Sequence, residues 1–179
     1  GIKVNVVKSA ADQLIQKLEM EGENTPADLL ITIDGGRLWR AKSKDLFQPI
    51  ETEKLKQQVP EHLKDVDNSW YGLTYRARVY AYHKDKVNPE SLNDYFALTD
   101  STFKDKVLVR TSENLYNQSL LASIIAHYGE DSARTWAAGV VANMARSPKG
   151  SDTDQIKAIE AGLGDVAIVN SYYLARMLS

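Results

Sequence analysis

One stretch decides the fold of this chain: Val166-Ala167-Ile168-Val169-Asn170-Ser171-Tyr172-Tyr173. Its first four residues form a short apolar run, which is typical of a strand that is buried on both faces of a sheet. A helix is predicted just before it, over Gln155–Ala161, and Gly162 and Gly164 end that helix. This succession of helix and strand predicts an α/β fold.

The same alternation continues toward the amino terminus. Lys106–Val109 is predicted to be a strand, and Tyr116–His127 and Ser132–Ala142 are predicted helices that join at Gly129. Asp152-Thr153-Asp154 is predicted to cap the helix that follows it. The carboxyl-terminal half therefore has the pattern of one α/β lobe.

The first part of the chain has the same alternation of predicted strands and helices. Lys3–Val7 alternates like a strand, Ala10–Met20 has helical spacing, and Asp28–Ile33 is a second apolar run. The turn Asp34-Gly35-Gly36 leads into a helix that is predicted over Arg37–Lys42. A parallel sheet is expected here as well.

The segment between the two α/β stretches has a different pattern of predicted elements. Glu51–His62 is polar and helical at first, Trp70–His83 is predicted to be one long strand or two joined strands, and Leu92–Leu98 is a predicted helix. We therefore predict a partial first lobe over residues 1–73, a crossover or hinge strand over residues 74–83, and most of a second lobe over residues 84–179.

Composition excludes several classes of protein. The 179 residues are 43% apolar and 26% charged, as in globular proteins. A formal net charge of −2 argues against a general nucleic-acid binder, and no apolar run of about 18 residues predicts a membrane span. The chain has no cysteine, so disulfides, thiol catalysis and cysteine-metal sites are excluded.

No catalytic constellation can be assembled from the sequence. His62, His83 and His127 lack the HExxH spacing of a zinc hydrolase, and Asp34-Gly35-Gly36 lacks the pattern of a phosphate loop. The aspartates of the 152–154 segment are better explained as helix caps than as paired catalytic carboxylates. We therefore predict that the protein is not an enzyme.

Three tyrosines suggest a metal site instead. Tyr172 and Tyr173 are adjacent, and Tyr116 lies upstream in Asn114-Leu115-Tyr116-Asn117-Gln118. A phenol keeps its proton until about pH 10 unless a strongly acidic cation displaces it. Three phenolates would neutralise a trivalent ion such as Fe³⁺, but tyrosines are more often half-buried structural residues, so both interpretations stay open.

Geometry sets a condition on the metal hypothesis. Neighbours on a regular strand point to opposite faces, so the backbone must turn before Tyr172 and Tyr173 can reach one ion. Both this pair and Tyr116 follow predicted strands, and ligands of α/β folds bind at the carboxyl ends of strands. We therefore expect the three side chains to face one cleft.

Several segments carry a resemblance to a known family. The chain resembles the bacterial periplasmic ferric-iron-binding proteins, the substrate-binding subunits of iron ABC importers, over nearly its whole length and in the same order. The segments that carry the resemblance are Pro26–Ala41, Arg76-Ala77-Arg78-Val79, Asn114–Leu120, Asp152–Ala158 and Ile168–Tyr173.

The resemblance implies a fold and a site. The fold would be the type II periplasmic-binding-protein fold, in which two α/β lobes are joined by crossover strands and close on the ligand. Tyr116, Tyr172 and Tyr173 would bind Fe³⁺ as phenolates in the interlobe cleft. Arg76 would bind a carbonate or bicarbonate anion, because a guanidinium matches a planar oxyanion. Asn170 and Arg78 would lie next to these groups without binding the ion themselves.

The resemblance also implies a partner and a setting. The protein would be a periplasmic or extracytoplasmic monomer that delivers iron to an ABC permease. Family members begin with a further strand and a segment that often supplies histidine ligands, and a long carboxyl-terminal portion completes their first lobe. We therefore expect this chain to be a fragment that lacks both ends. A binding protein of the same fold for an oxyanion, a polyamine or thiamine, or a non-transport sensor domain, remains an alternative.

Overall fold

A computed structural model describes residues 1–178 of the chain. It divides into two compact units, Gly1–Tyr75 and Arg76–Ser179, so the division lies within the predicted crossover of residues 74–83. Within the described part of the chain, no helix is long and apolar enough to cross a bilayer. The two units are treated separately below.

The first unit contains three α-helices, and two of them have a side-chain cap at the amino end. The Asp34 carboxylate accepts a hydrogen bond from the backbone N–H of Gly36, and the Thr52 hydroxyl accepts one from the N–H of Leu55. The helices are α1 (Ala11–Glu21), α2 (Gly35–Lys42) and α3 (Glu53–Gln58), with 3₁₀ turns at Gly22–Asn24 and Glu61–Leu63. The helices predicted from periodicity in this unit are therefore confirmed within one or two residues.

Two predicted strands of the first unit are wrong. Residues 3–7 and 28–33 are extended, but neither segment forms a ladder with another strand. Leu29 is 76% exposed and Ile31 is 83% exposed, so the apolar run covers no core. A strand needs a partner for its backbone groups, and within residues 1–75 only the isolated bridge between Lys64 and Tyr71 supplies one.

The second unit is built on a three-stranded sheet. Its strands are β1 (Arg78–Tyr82), β2 (Val107–Leu108) and β3 (Val166–Asn170), in the order β1–β3–β2. β2 and β3 are parallel, as predicted, whereas β1 is antiparallel to β3. Only residues 78–82 of the strand predicted over Trp70–His83 are in the sheet, because only they lie alongside β3.

Four α-helices cover the sheet. One hydrophobic cluster includes residues of α4 and α5, and the other includes residues of α6 and α7. The helices are α4 (Leu115–Tyr128), α5 (Glu130–Ala142), α6 (Asp152–Glu160) and α7 (Ser171–Leu178), and 3₁₀ turns lie at Pro89–Ser91, Tyr95–Thr99 and Ser101–Phe103. The α/β class that the sequence predicts is confirmed in this unit.

The central strand β3 is buried on both faces. Val166 and Ile168 contribute to the cluster that contains Trp136, and Val169 contributes to the opposite cluster with Ile159. Burying a side chain of this size contributes about 1.5–3 kcal/mol relative to leaving it exposed. The apolar run that was identified in the sequence is therefore the centre of the core.

Three predicted boundaries need correction. The helix expected over Leu92–Leu98 is a 3₁₀ turn over Tyr95–Thr99, because Asp94 caps the turn at its start and Asp100 immediately caps the next one. Asp152 does not cap α6, because Ser151 occupies the cap position and forms a reciprocal capping box with Asp154. The last helix begins at Ser171, before the tyrosine pair and not after it.

Candidate metal centre

The topology of the sheet brings separate segments together at one edge. The parallel strands β2 and β3 both end at this edge, and the antiparallel β1 begins there, with Arg78 opposite Asn170. The residues just before β1, just after β3 and at the start of α4 therefore become neighbours. Four of the six residues that were predicted for the site belong to these segments, namely Arg76, Tyr116, Tyr172 and Tyr173, and the other two, Arg78 and Asn170, are the end residues of β1 and β3.

The tyrosine pair lies in the first turn of α7. The ring centroids of Tyr172 and Tyr173 are 4.3 Å apart, and the ring planes are inclined by 30°. The backbone N–H of Ser171 donates to the carbonyl of Ala77 at 3.0 Å, which ties the start of α7 to the segment before β1. The change from strand to helix supplies the turn that the adjacent side chains need.

Tyr116 reaches the pair from the opposite helix. It lies in the first turn of α4, where the Asn114 side chain caps the helix by accepting the Tyr116 backbone N–H at 3.2 Å. Its phenol is close enough to that of Tyr172 for the two groups to change each other's pKa, and Tyr172 and Tyr173 influence each other in the same way. The three hydroxyl groups thus converge, with the oxygen of Tyr172 in the middle.

Electrostatics distinguish the three phenols. Burial alone would raise the pKa of Tyr172, but the neighbouring polar groups of Tyr173, Tyr116 and Asn170, together with the charge of Arg76, bring the pKa below its usual value. The nearby phenol of Tyr172 and partial burial raise the pKa of Tyr173 to about 12. Burial and the same neighbouring phenol also raise the pKa of Tyr116. Tyr172 is therefore the first of the three to lose its proton.

Other tyrosines of the chain have an ordinary structural role. The hydroxyl of Tyr80 donates to the carbonyl of Asp94 at 2.8 Å, and that of Tyr95 donates to the carbonyl of Arg78 at 2.6 Å. Each phenol there satisfies a backbone acceptor. The cluster at the sheet edge differs, because its phenols interact with one another.

The two arginines of the Arg76-Ala77-Arg78 segment have different environments. Arg76 is exposed, and its guanidinium carbon lies 5.7 Å from the centroid of the Tyr172 ring. Arg78 is committed to a buried ion pair, because its Nη1 donates to the carboxylate of Asp152 at 2.9 Å. Arg76 is thus an exposed guanidinium beside Tyr172, as is Arg176, whose guanidinium carbon lies 5.9 Å from the centroid of the same ring.

Sequence reasoning missed the polar network beneath the tyrosines. Asp152 accepts hydrogen bonds from Arg78, from Arg110 at 3.3 Å and from the backbone N–H of Asn170 at 2.8 Å. Asn117 accepts a hydrogen bond from Arg78 at 2.9 Å. The positions of Arg110 and Asn117 in the sequence could have identified these two residues. Arg110 directly follows the strand that was predicted over Lys106–Val109, and Asn117 directly follows Tyr116.

Other metal ligands are not grouped in the described residues. Residues 1–178 contain no cluster of three or more histidine, cysteine, aspartate or glutamate side chains that could hold an ion. His127 lies in the last turn of α4, and its Nδ1 is 2.8 Å from the carbonyl oxygen of Ser123, as its position at a helix end predicts. The tyrosines thus remain the strongest candidate ligands.

Comparison with known proteins gives consistent results. A family model described as bacterial extracellular solute-binding protein matches residues 24–179. The chain is 51% identical over 175 residues to iron uptake protein A2 of Synechocystis sp., an alignment that covers 98% of this chain and 51% of that protein. The chain thus spans about half the length of the curated relatives it matches.

Solved structures give the same result for the fold. Apo FutA2 from Synechocystis PCC6803 superposes with a TM-score of 0.95 at 50% identity, over 98% of this chain and 56% of that one. A Trichodesmium protein (IdiA, FutA) in complex with iron and citrate superposes with a TM-score of 0.94 at 46% identity, over 97% of this chain and 55% of that one.

Proposed function

The chain belongs to the family of bacterial extracellular solute-binding proteins, with part of the type II periplasmic-binding-protein fold, and we propose that it captures ferric iron for uptake. The ligands would be the phenolate oxygens of Tyr116, Tyr172 and Tyr173. One observation carries the proposal: Tyr116, Tyr172 and Tyr173 come together at one edge of the sheet, where Tyr116 and Tyr173 both interact with the phenol of Tyr172. Relatives whose names state iron uptake or ferric-iron binding support it.

The chemistry of this cluster fits Fe³⁺ as cargo. Phenolate oxygens are hard donors, and hard trivalent cations prefer them. A cation that replaces the shared protons would be surrounded by three negative charges, which neutralise it. The low pKa of Tyr172 favours this oxygen as the first contact, because it gives up its proton most easily. The protein would then bind and release iron without catalysing a reaction.

Arg76 is the group that we propose for a carbonate or bicarbonate anion at the ion. Its guanidinium is exposed beside Tyr172, whereas Arg78 is paired with Asp152. An arginine can hold a planar oxyanion through two parallel hydrogen bonds. Arg76→Ala should therefore weaken ferric binding more in the presence of carbonate than in its absence.

The setting of the function is part of the same proposal. The whole protein would work as a monomer in the periplasm or outside the cytoplasm and would hand the ion to an ABC permease. The family and the named roles of the relatives support this setting. Residues 74–83 would form the crossover between the lobes.

A ferric titration of the full-length protein tests the proposal. Adding ferric citrate should produce the visible charge-transfer band of a phenolate–iron complex. Tyr172→Phe should reduce ferric affinity by more than about 100-fold, since even partners outside the ligand set cost about 10- to 100-fold. Tyr128→Phe, at an exposed tyrosine of α4, is the matched control and should bind like the wild type.

The outcomes separate the alternatives. No band in the wild type would refute the ferric function and favour another ligand of the same fold, such as an oxyanion, a polyamine or thiamine. A normal band in Tyr172→Phe would refute the site. Ferric affinity should also fall on acidification, because protons compete for the phenolates, so a band that is unchanged from about pH 8 to about pH 4 would contradict the proposal.

A further inference from the structure

Asp152 is a buried carboxylate that has no part in the proposed ligand set. It is 0% exposed, and its oxygens accept hydrogen bonds from Arg78 Nη1 at 2.9 Å, Arg110 Nη1 at 3.3 Å and the Asn170 backbone N–H at 2.8 Å. Helix capping does not explain it, because Ser151 is the cap. Removing a charge from water in this way costs free energy, so we expect the Asp152 carboxylate to have a role other than helix capping.

One branch of the Asp152 contacts leads to Tyr116. The guanidinium carbons of Arg78 and Arg110 each lie 5.9 Å from the centroid of the Tyr116 ring. Arg78 also donates to the side chain of Asn117 at 2.9 Å, in the same first turn of α4. The two arginines that pair with Asp152 therefore hold the ring and the helix turn that carries it.

The other branch leads to the tyrosine pair. Asn170 is the last residue of β3, and Tyr172 follows it after a single residue. Its backbone N–H donates to Asp152, so the carboxylate holds the point at which β3 becomes α7. Arg78 reinforces this connection by donating to the carbonyl of Ile168 at 3.0 Å.

We propose that Asp152 is a positioning residue that fixes the separation between Tyr116 and the Tyr172–Tyr173 pair. This one carboxylate is linked to both elements that carry the phenols, to α7 through the backbone of Asn170 just before it and to α4 through two arginines. The inference rests on the proposed function, because the spacing matters for affinity only if the three phenols share one ion. Groups that orient metal ligands in this way set affinity without touching the metal.

Asp152→Asn in the full-length protein is the test, since it keeps the size of the side chain and removes its charge. Ferric affinity, measured by competition with citrate, should fall by about 10- to 100-fold, and the charge-transfer band should shift as the contribution of Tyr116 weakens. Asp154→Asn is the matched control on the same helix. It replaces the charged capping-box acceptor by a neutral amide, so it should lower stability but leave affinity and the band unchanged.

A double-mutant cycle separates positioning from general destabilisation. In a Tyr116→Phe background the spacing no longer matters, so most of the penalty of Asp152→Asn should disappear. A merely structural role would give the same fold-loss in both backgrounds, within about twofold. That result would overturn the proposal.

Two further measurements keep the test decisive. If Asp152→Asn does not fold, Arg110→Gln can replace it, because it removes the ion pair between the partly exposed Arg110 and Asp152. Ferric affinity should then fall by less than in Asp152→Asn, and this loss should depend on Tyr116 in the same way. NMR of ¹³C-labelled tyrosines in the metal-free variants should show changed phenol signals for Tyr116 and Tyr172. Unchanged signals would refute positioning even if the wild type binds no iron, whereas absence of ferric binding by the wild type would refute only the proposed function.

Discussion

Two apolar runs of this chain have similar sequences and different structures. Residues 28–33 of the first unit form no strand, with Leu29 76% exposed and Ile31 83% exposed. Residues 166–169 of the second unit lie in the central strand, and Val166 and Val169 are both 0% exposed. The difference shows that an apolar run becomes a strand only where a partner strand lies beside it.

The first unit relies on weaker interactions than the second. Its helices are connected by exposed ion pairs, such as Lys44 with Glu19 at 2.6 Å and Arg40 with Asp12. Exposed pairs of this kind contribute about 0–1 kcal/mol each. The curated relatives that the chain matches are about twice as long as the chain.

Hydrogen exchange should show the largest contrast between the two runs. In the 179-residue chain, amides of β3 should exchange at least about a thousandfold more slowly than those of residues 28–33, because domains of marginal stability still resist global opening by about 5 kcal/mol. Exchange measured by mass spectrometry or NMR gives the ratio. Equal protection of the two segments in this chain would break the comparison.

Core substitutions should sharpen the same contrast. Leu98→Ala removes a side chain that is 0% exposed in the second unit and should cost about 2–5 kcal/mol in the free energy of unfolding. Ile31→Ala removes an exposed side chain and should stay within about 0.5 kcal/mol. Urea unfolding followed by tryptophan fluorescence measures both, because Trp39 and Trp70 lie in the first unit and Trp136 in the second, and a larger cost for Ile31→Ala would contradict the description of the first unit.

Tyrosine titration compares the two units in another way. In the first unit the Tyr71 hydroxyl donates to the backbone carbonyl of Ile50, whereas Tyr173 hydrogen-bonds with Tyr172. Tyr172→Phe should therefore lower the pKa of Tyr173 from about 12 toward 10, as ¹³C NMR can show.

The same titration has a consequence for stability. A pKa that is higher in the folded state stabilises the protein fully below the unfolded value, near pH 10, and this contribution is lost as the pH rises toward about 12. Wild-type stability should thus fall over this range, and Tyr172→Phe should lose less. An unchanged pKa of Tyr173 in the variant would mean that the two phenols are independent.

Helix caps should give the smallest effects. Ser151→Ala removes the capping box of α6 and should cost about 1 kcal/mol, within a range of about 0.5–2 kcal/mol. Thr52→Ala removes the cap of α3 in the first unit, and we expect a smaller change in the main unfolding transition because few core contacts depend on α3. Thermal unfolding of the two variants measures the difference, and a larger effect for Thr52→Ala would reverse the ranking.

Local features of the fold could be predicted from the sequence. Helices over residues 10–20, 116–127 and 132–142 were found within one or two residues, because spacing and caps act within a few residues. Strand pairing could not be predicted in the same way. Whether residues 28–33 or 166–169 are paired depends on segments that are distant in sequence or absent from the chain, and periodicity does not report on them.

For the candidate site, residue type identified the three candidate metal ligands but not the residue that we propose positions them. Tyr116, Tyr172 and Tyr173 could be identified because phenols have a distinctive metal chemistry. Asp152 was interpreted as a helix cap, because an aspartate before a helix is usually one. Its contacts with Arg78 and Asn170 join positions that only the sheet register brings together, so the sequence alone could not separate the two roles.

The position of β3 has a consequence for how the protein is made. Within residues 1–178, this central strand is the last strand. Arg78 of β1 hydrogen-bonds with Asn170, which lies 92 residues further along the chain. A growing polypeptide that leaves the ribosome amino end first would hold β1, β2 and their apolar side chains unpaired until residues 166–170 emerge. Translation of this short segment would then supply the strand that joins β1 to β2, and Tyr172 and Tyr173 would follow it.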